Sequence, residues 1–421
     1  MIKKSFWGFN KSELQYNLNS SPFQDIPIPR KAIVFLKKTD EEFREKLFQV
    51  GNQVKTGQKL SYSQDSADYV ISPVTGKIID IFSYSDAFGV SYDGITIESK
   101  GNDEWDNSFS GKASLDLAIN FLENIPGKFS FRKFKNASNK IDTIIINGMD
   151  TDLGTTINQE IVKTNSANIK KGIETLKKIT GVKNYLLVVP ETLREEASHA
   201  GAEVKIIPST FPNGLPAMII KNLLNKIIPA GGNPEDIGVS VISTESTANI
   251  ATTFDAKKIS VIKALSIVGK DGKITNVKAR IGTPISDILA KCNIFLEEND
   301  RIILGGPMLG MATYSKDLPI EPDTDAITIQ SESESSKVTD YPCINCGECV
   351  RICPARIQVN LLGRFAEFGL YEDAEQYDLH SCIECALCAF VCTARRPLMQ
   401  YIKLAKHEFG LTKISEAVNE Q

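Results

Sequence analysis

The sequence predicts a multidomain α/β protein, and three observations predict it. Short β-branched runs separated by paired glycines follow Ala32 and continue to about residue 100. From Ile141 onward, wholly apolar runs alternate with helical patterns, as buried parallel strands and their crossover helices do. Eight of the nine cysteines then crowd between Cys343 and Cys392. A chain of 421 residues has room for about two to four such units.

Residues 1 to about 30 are rich in Asn, Ser and Pro and read as a solvated arm. Trp7 and Phe9 are its possible anchors, idle or docked onto a neighbouring protein. Next come Gly51-Asn52-Gln53-Val54-Lys55-Thr56-Gly57-Gln58-Lys59-Leu60 and Ser72-Pro73-Val74-Thr75-Gly76-Lys77-Ile78. Glycine turns between β-branched runs suit a compact β sandwich, placed with the arm at 1–100. The stretch resembles the barrel-sandwich hybrid fold of biotinyl and lipoyl carriers. Carriers bear their cofactor on a lysine at the hairpin tip between these motifs. Ser61 to Ile71 holds no lysine, so the domain reads as a docking or structural module.

Residues 101 to 140 are polar apart from one helical pattern at Leu115, Leu117, Ala118, Phe121 and Leu122. Ile141 to Gly148 reads as a buried parallel strand. A helix is expected near Asn168 to Ile179, then a strand over Tyr185 to Val189 closed by Pro190. A further helix leads to Val204-Lys205-Ile206-Ile207. The alternation makes 112–258 a doubly wound α/β layer. Pro212-Asn213-Gly214 opens a helix, and Pro229 to Pro234 is a loop. A smaller α/β piece, 259–328, carries Ile281-Gly282-Thr283-Pro284 and Gly305-Gly306-Pro307-Met308-Leu309-Gly310. Ser331 to Ser336 is a solvated linker.

Cys343, Cys346, Cys349 and Cys353 follow C-x2-C-x2-C-x3-C, with Pro354 next; Cys382, Cys385, Cys388 and Cys392 repeat the spacing, with Thr393 next. This is the spacing of bacterial ferredoxins, in which each fourth cysteine ligates the other cluster. It assigns Cys343, Cys346, Cys349 and Cys392 to one [4Fe-4S] cluster, and Cys382, Cys385, Cys388 and Cys353 to a second. Crossed ligands make the two clusters one folding unit. Structural zinc sites use C-x2-C pairs, not two runs of four. Between the runs, Leu361, Leu362, Phe365 and Phe368, then Leu370 and Tyr371, recur at helical spacing. One or two helices should cover the clusters, giving an α-helical dicluster ferredoxin domain at 337–412. Leu398 to Glu408 should form an amphipathic helix packed on it.

Composition narrows the rest. A net charge of −4 gives no reason to expect nucleic acid. Only Cys292 lies outside the runs, as a small buried apolar residue, which fits a reducing compartment and no disulfide framework. The lysines at the start lead into no apolar h-region, and no run approaches eighteen apolar residues. Membrane association would come through partners. His199, His380 and His407 lack ligand spacing; His380 either tunes a cluster or is a surface residue. Arg351, Arg356, Arg395 and Arg396 either act on the clusters or a docked acidic protein, or are ordinary surface charge.

The order of units resembles the RnfC proteins of the Rnf-type electron-transport complexes. The likeness is carried by the carrier-like glycines, the Ile141 to Gly148 strand, Phe211-Pro212-Asn213-Gly214, Ala230-Gly231-Gly232, Ile281 to Pro284, the Gly305 to Gly310 turn and both cysteine runs. It implies a Rossmann-like layer related to the NADH-binding subunit of complex I, and a small β-grasp-like (SLBB) domain. It also implies a cytoplasmic, peripheral subunit on the inner face of the cell membrane. Membrane-embedded and peripheral subunits would be its partners, with a ferredoxin or flavodoxin as soluble partner.

In such relatives a glycine-rich loop, roughly G-G-A-G-F-P, lets backbone amides approach a flavin phosphate. Here the stretch is Ile125-Pro126-Gly127-Lys128-Phe129-Ser130-Phe131-Arg132, with one glycine. Lys128 and Arg132 can grip a phosphate or sit as solvated charges. The relatives' acidic segment becomes Asn147-Gly148-Met149-Asp150-Thr151-Asp152. Asp150 and Asp152 are the candidate flavin or nucleotide contacts; the simpler role is to begin a loop and cap the next segment. No catalytic residue is assigned. The expected function is a relay of single electrons through two [4Fe-4S] clusters, with FMN and NADH doubtful. The alternatives are an NADH/FMN-dependent subunit of the same kind and a corrinoid-reductase-like flavoprotein.

Overall fold

The computed structural model describes residues 3–4, 10–11, 13–38, 46–64, 66–136, 140–335, 337–339 and 341–419. Trp7 and Phe9 lie outside them.

The α/β layer forms because its strands are apolar on both faces. Ile144, Ile145 and Ile146 are fully buried, as are Leu187, Val188 and Val189. Four parallel strands lie in the order Glu203–Ile206, Asn184–Val189, Thr143–Asn147 and Val239–Ser243. Helices Ile157–Thr180 and Thr244–Ala256 pack closely against each other. They meet at Gly172, where a Cβ would stand 2.1 Å from the Thr247 carbonyl oxygen. Gly172→Ala must therefore push the two backbones apart. It should cost about 1–3 kcal/mol, read as a lowered denaturation midpoint.

The Ile157 helix is longer than the Asn168 to Ile179 pattern, and non-helical backbone at Asn165 marks a kink within it. Its first turn escapes the pattern because Asn158, Gln159 and Glu160 are polar yet buried. The arm also departs from the solvated segment expected. Tyr16 is 3% exposed, its amide donates to the Ser209 carbonyl, and Gln24–Asp25 pairs with Val277 and Lys278. Residues 13–28 thus dock on their own chain. Gln24–Asp25 becomes the edge of a six-stranded sheet ordered Met311–Thr313, Arg301–Leu304, Ala326–Gln330, Ile262–Val268, Ile274–Arg280, Gln24–Asp25.

Near the front, Lys31–Lys37, Ser91–Ser99, Gly76–Ser85 and Gln53–Val54 form one antiparallel sheet; Lys59–Ser61 and Tyr69–Ile71 form a hairpin. The hairpin is fastened to the α/β layer. The Tyr69 hydroxyl donates to the Ile119 carbonyl (3.3 Å) and accepts from the Glu123 amide (3.0 Å), while Asn124 Nδ2 donates to the Tyr69 carbonyl. Arg132 donates to the Ala67 carbonyl.

Lys263 joins the small domain to the layer. It is fully buried, 2.5 Å from Glu245 and 2.9 Å from Asp325, and it also donates to the Ala264 carbonyl. In the cysteine module, Val359–Glu367 and Tyr371–Gln376 are the covering helices. Leu398–Asn419, longer than the pattern implied, buries Leu398, Met399, Ile402 and Ala405 against Leu362 and Ala366.

Candidate functional site

Each cysteine run is bent by the same backbone device. Asn345 and Gly347 have φ of 55° and 74°; their counterparts Glu384 and Ala386 have 56° and 59°. Arg356 and Arg395, each three residues after a fourth cysteine, have 58° and 49°. Left-handed residues at these points curl the chain, so successive thiols face one centre. The repeat is legible in sequence only when the runs are overlaid, because Ala386 and Glu384 are not residues that announce a positive φ.

Cys343, Cys346, Cys349 and Cys392 line one cavity, with Asn360 and Arg396 beside them. The fourth thiol thus comes from the other run. Cys353 interacts electrostatically with Cys382, Cys385 and Cys388. The Glu384 amide donates to Cys382 Sγ and the Arg396 amide to Cys392 Sγ, both at 3.4 Å. Such donors stabilise thiolate charge.

Burial, then the neighbouring thiols Cys343 and Cys346, pushes Cys349 up to about 11. Cys385 is pushed up to about 11 by burial, with Cys382 and Cys353 adding to it. Cys388 and Cys382 are raised too, by burial first. Thiols grouped this way resist ionising unless a positive centre joins them, and iron is such a centre. The donor set therefore fits an iron–sulfur cluster. The first set is nearer solvent: Cys346 is exposed, whereas Cys385 and Cys388 are buried.

Arg396 is not surface charge. Its side chain is 4% exposed, paired with Glu367 and set over the Tyr401 ring. Arg351 pairs with Glu348. His380 Nε2 faces Glu375 at 3.4 Å, and its carbonyl accepts from the Gly231 amide. That contact ties the Ala230-Gly231-Gly232 loop to the module. Cys292 is half-buried, and burial raises its thiol.

The upstream loop is bonded to its own chain. Gly127 has φ of 89°, and a Cβ there would stand 2.4 Å from Ser246 Oγ, so the loop lies on the start of the Thr244 helix. The Gly127 amide donates to the Pro322 carbonyl at 2.7 Å, and the Ser246 amide to Ser243 Oγ at 3.0 Å. Lys128 pairs with Asp323 at 2.8 Å, and Arg132 Nη1 stands 3.8 Å from Asp68. Phe129 and Phe131 are buried edge to face. The Gly127 and Ser246 amides and the Lys128 ammonium thus have partners within the chain.

Asp150 accepts from the Asn158 amide (2.9 Å) and Gln159 Nε2 (2.7 Å), capping the Ile157 helix; burial pushes its carboxyl up to about 6. Asp152 accepts from the amides of Leu153, Met308 and Leu309 at 2.7, 3.1 and 2.6 Å. It thereby pins the glycine turn of the small domain. Burial raises it as well, against the pull of those amides.

Two family models match the chain, the RnfC barrel sandwich hybrid domain over 7–102 and the Nuo51 FMN-binding domain over 127–252. The C subunit of a proton-translocating ferredoxin:NAD(+) oxidoreductase complex from Clostridium ljungdahlii is 26% identical, over 97% of this chain and 94% of that one. The C subunit of an ion-translocating oxidoreductase complex is 27% identical in Rhodobacter capsulatus, over 80% of this chain and 69% of that one. The Klebsiella pneumoniae protein of the same description is 25% identical, over 98% of this chain and 59% of that one. With such relatives along most of its length and the RnfC barrel-sandwich domain matching its front, the chain is similar to the RnfC proteins of the Rnf-type electron-transport complexes.

Proposed function

We propose that the chain relays single electrons within a membrane-associated oxidoreductase complex, through two [4Fe-4S] clusters with crossed fourth ligands. Cys343, Cys346, Cys349 and Cys392 hold the outer cluster; Cys382, Cys385, Cys388 and Cys353 hold the inner one. The observation that carries the reading is the convergence of Cys392 with three thiols of the first run on one cavity. When bound, the clusters supply reversible one-electron chemistry. The protein's own residues orient the thiols, shield the inner set from water, and place a buried guanidinium, Arg396, beside the outer one.

In this reading the α/β layer is a scaffold that has lost nucleotide and flavin binding, and Asp150 and Asp152 serve as caps. Membrane-embedded and peripheral subunits are the partners, on the inner face of the cell membrane, with a ferredoxin or flavodoxin as soluble partner. Among the described residues no helix is long and apolar enough to cross a membrane.

A second reading, in which FMN and NADH still bind, is favoured by the match to the Nuo51 FMN-binding domain. Anaerobic assembly of the full chain with FMN and NADH separates the two. The relay reading expects no bleaching of the clusters by NADH, whether or not a flavin is retained. Bleaching by NADH would establish the second reading instead.

A further inference from the structure

A groove of about 700 Å³ opens where the front β domain, the small domain and the cysteine module meet. Its walls carry three thioethers, Met308, Met311 and Met399, with Phe88, Phe390 and Leu404 between them. Four of these six, Phe88, Met311, Phe390 and Leu404, are exposed large hydrophobics, at 40%, 46%, 52% and 43%. Pockets of this size, at the junction of domains and with mixed apolar and polar walls, are typical of small-molecule sites. The walls are not soft. Met308 belongs to the turn that Asp152 pins, and it packs on the apolar clusters containing Cys385 and Cys388.

Two features give the ligand's chemistry. Ala386 and Ala389, which line the groove, directly follow Cys385 and Cys388 in the chain, so the groove runs along the segment that carries the inner thiols. The polar lining is Gln400, Lys403, His407 and Glu408; the first three offer donors suited to carbonyl or other acceptor oxygens, and His407 stands against the Phe88 ring at 5.6 Å. Thioethers and phenyl rings favour the flat faces of conjugated rings. No residue of the Ile125 to Arg132 loop, and neither Asp150 nor Asp152, lines the groove.

We propose that the groove binds a planar conjugated electron carrier with acceptor oxygens on its edge, of the quinone or isoalloxazine type, next to the inner cluster. The purpose of the site rests on the relay reading; its existence does not.

The test uses the full chain assembled anaerobically, with menadione and riboflavin each followed by equilibrium dialysis. Saturable binding of about one molecule per chain is expected for at least one probe. Menadione alone would assign the quinone, riboflavin alone the isoalloxazine, and both their shared ring chemistry. Met311→Trp fills the groove from an exposed wall position, and Leu404→Glu places a charge on another. Each should weaken binding at least about tenfold with iron content unchanged. Binding of neither probe, or equal binding to both variants, would overturn the proposal. Low iron with groove binding intact would count against the relay alone.

Discussion

Alanine at Cys353 should cut bound iron from about eight to about four atoms per chain, and adding alanine at Cys388 should remove no more. Crossed ligation places both residues on the inner cluster, so the second change strikes a site already lost. Were each run to hold its own cluster, the double variant would lose both and retain almost no iron. Cys392→Ala with Cys349→Ala is the matching pair for the outer cluster. Iron and acid-labile sulfide analysis after anaerobic assembly reads the result, and electron paramagnetic resonance of the dithionite-reduced protein identifies the surviving cluster. The expectation rests on the cavity lined by Cys392 and three thiols of the first run.

Lys263→Met should destabilise the chain by about 3–5 kcal/mol, because it leaves the buried Glu245 carboxylate without its cation. Lys263 is wholly buried and Glu245 almost so. Burial already raises the Glu245 carboxyl, against the lowering effect of Lys263. Adding Glu245→Leu should restore most of the loss, since replacing a buried pair with packed apolar groups is often neutral. Urea denaturation followed by fluorescence checks both; Trp105, packed on the main core, is a local reporter. Equal destabilisation of the single and double variants would show that the pair's geometry, not its charge balance, holds the domains together.

How far these features can be read from sequence depends on whether a residue's role is local. Ile144 to Ile146 are apolar because both faces of the sheet are covered, so the run itself announces a central strand. The cysteines are equally legible, since ligand spacing is fixed by the cluster rather than by the fold. Asn158, Gln159 and Glu160 mislead, because their burial depends on partners such as Asp150 and Thr244, far away in the chain or across a loop. Tyr16 misleads for the same reason: its hydroxyl accepts from the Gly214 amide, 198 residues on. Arg396 reads in sequence like any surface arginine; only the fold brings Glu367 and the cavity wall around it.

The fastened hairpin bears on how such a chain could work. A fold whose look-alikes ferry cargo by swinging is bolted here through Tyr69 and Arg132 to the layer behind it. Those contacts hold the segment against the layer, so under the relay reading the spacing between redox stations is set by the fold and not by a moving arm. Any journey must be made by the visitors: reductant and oxidant come and go, while the polypeptide stays in place like a platform.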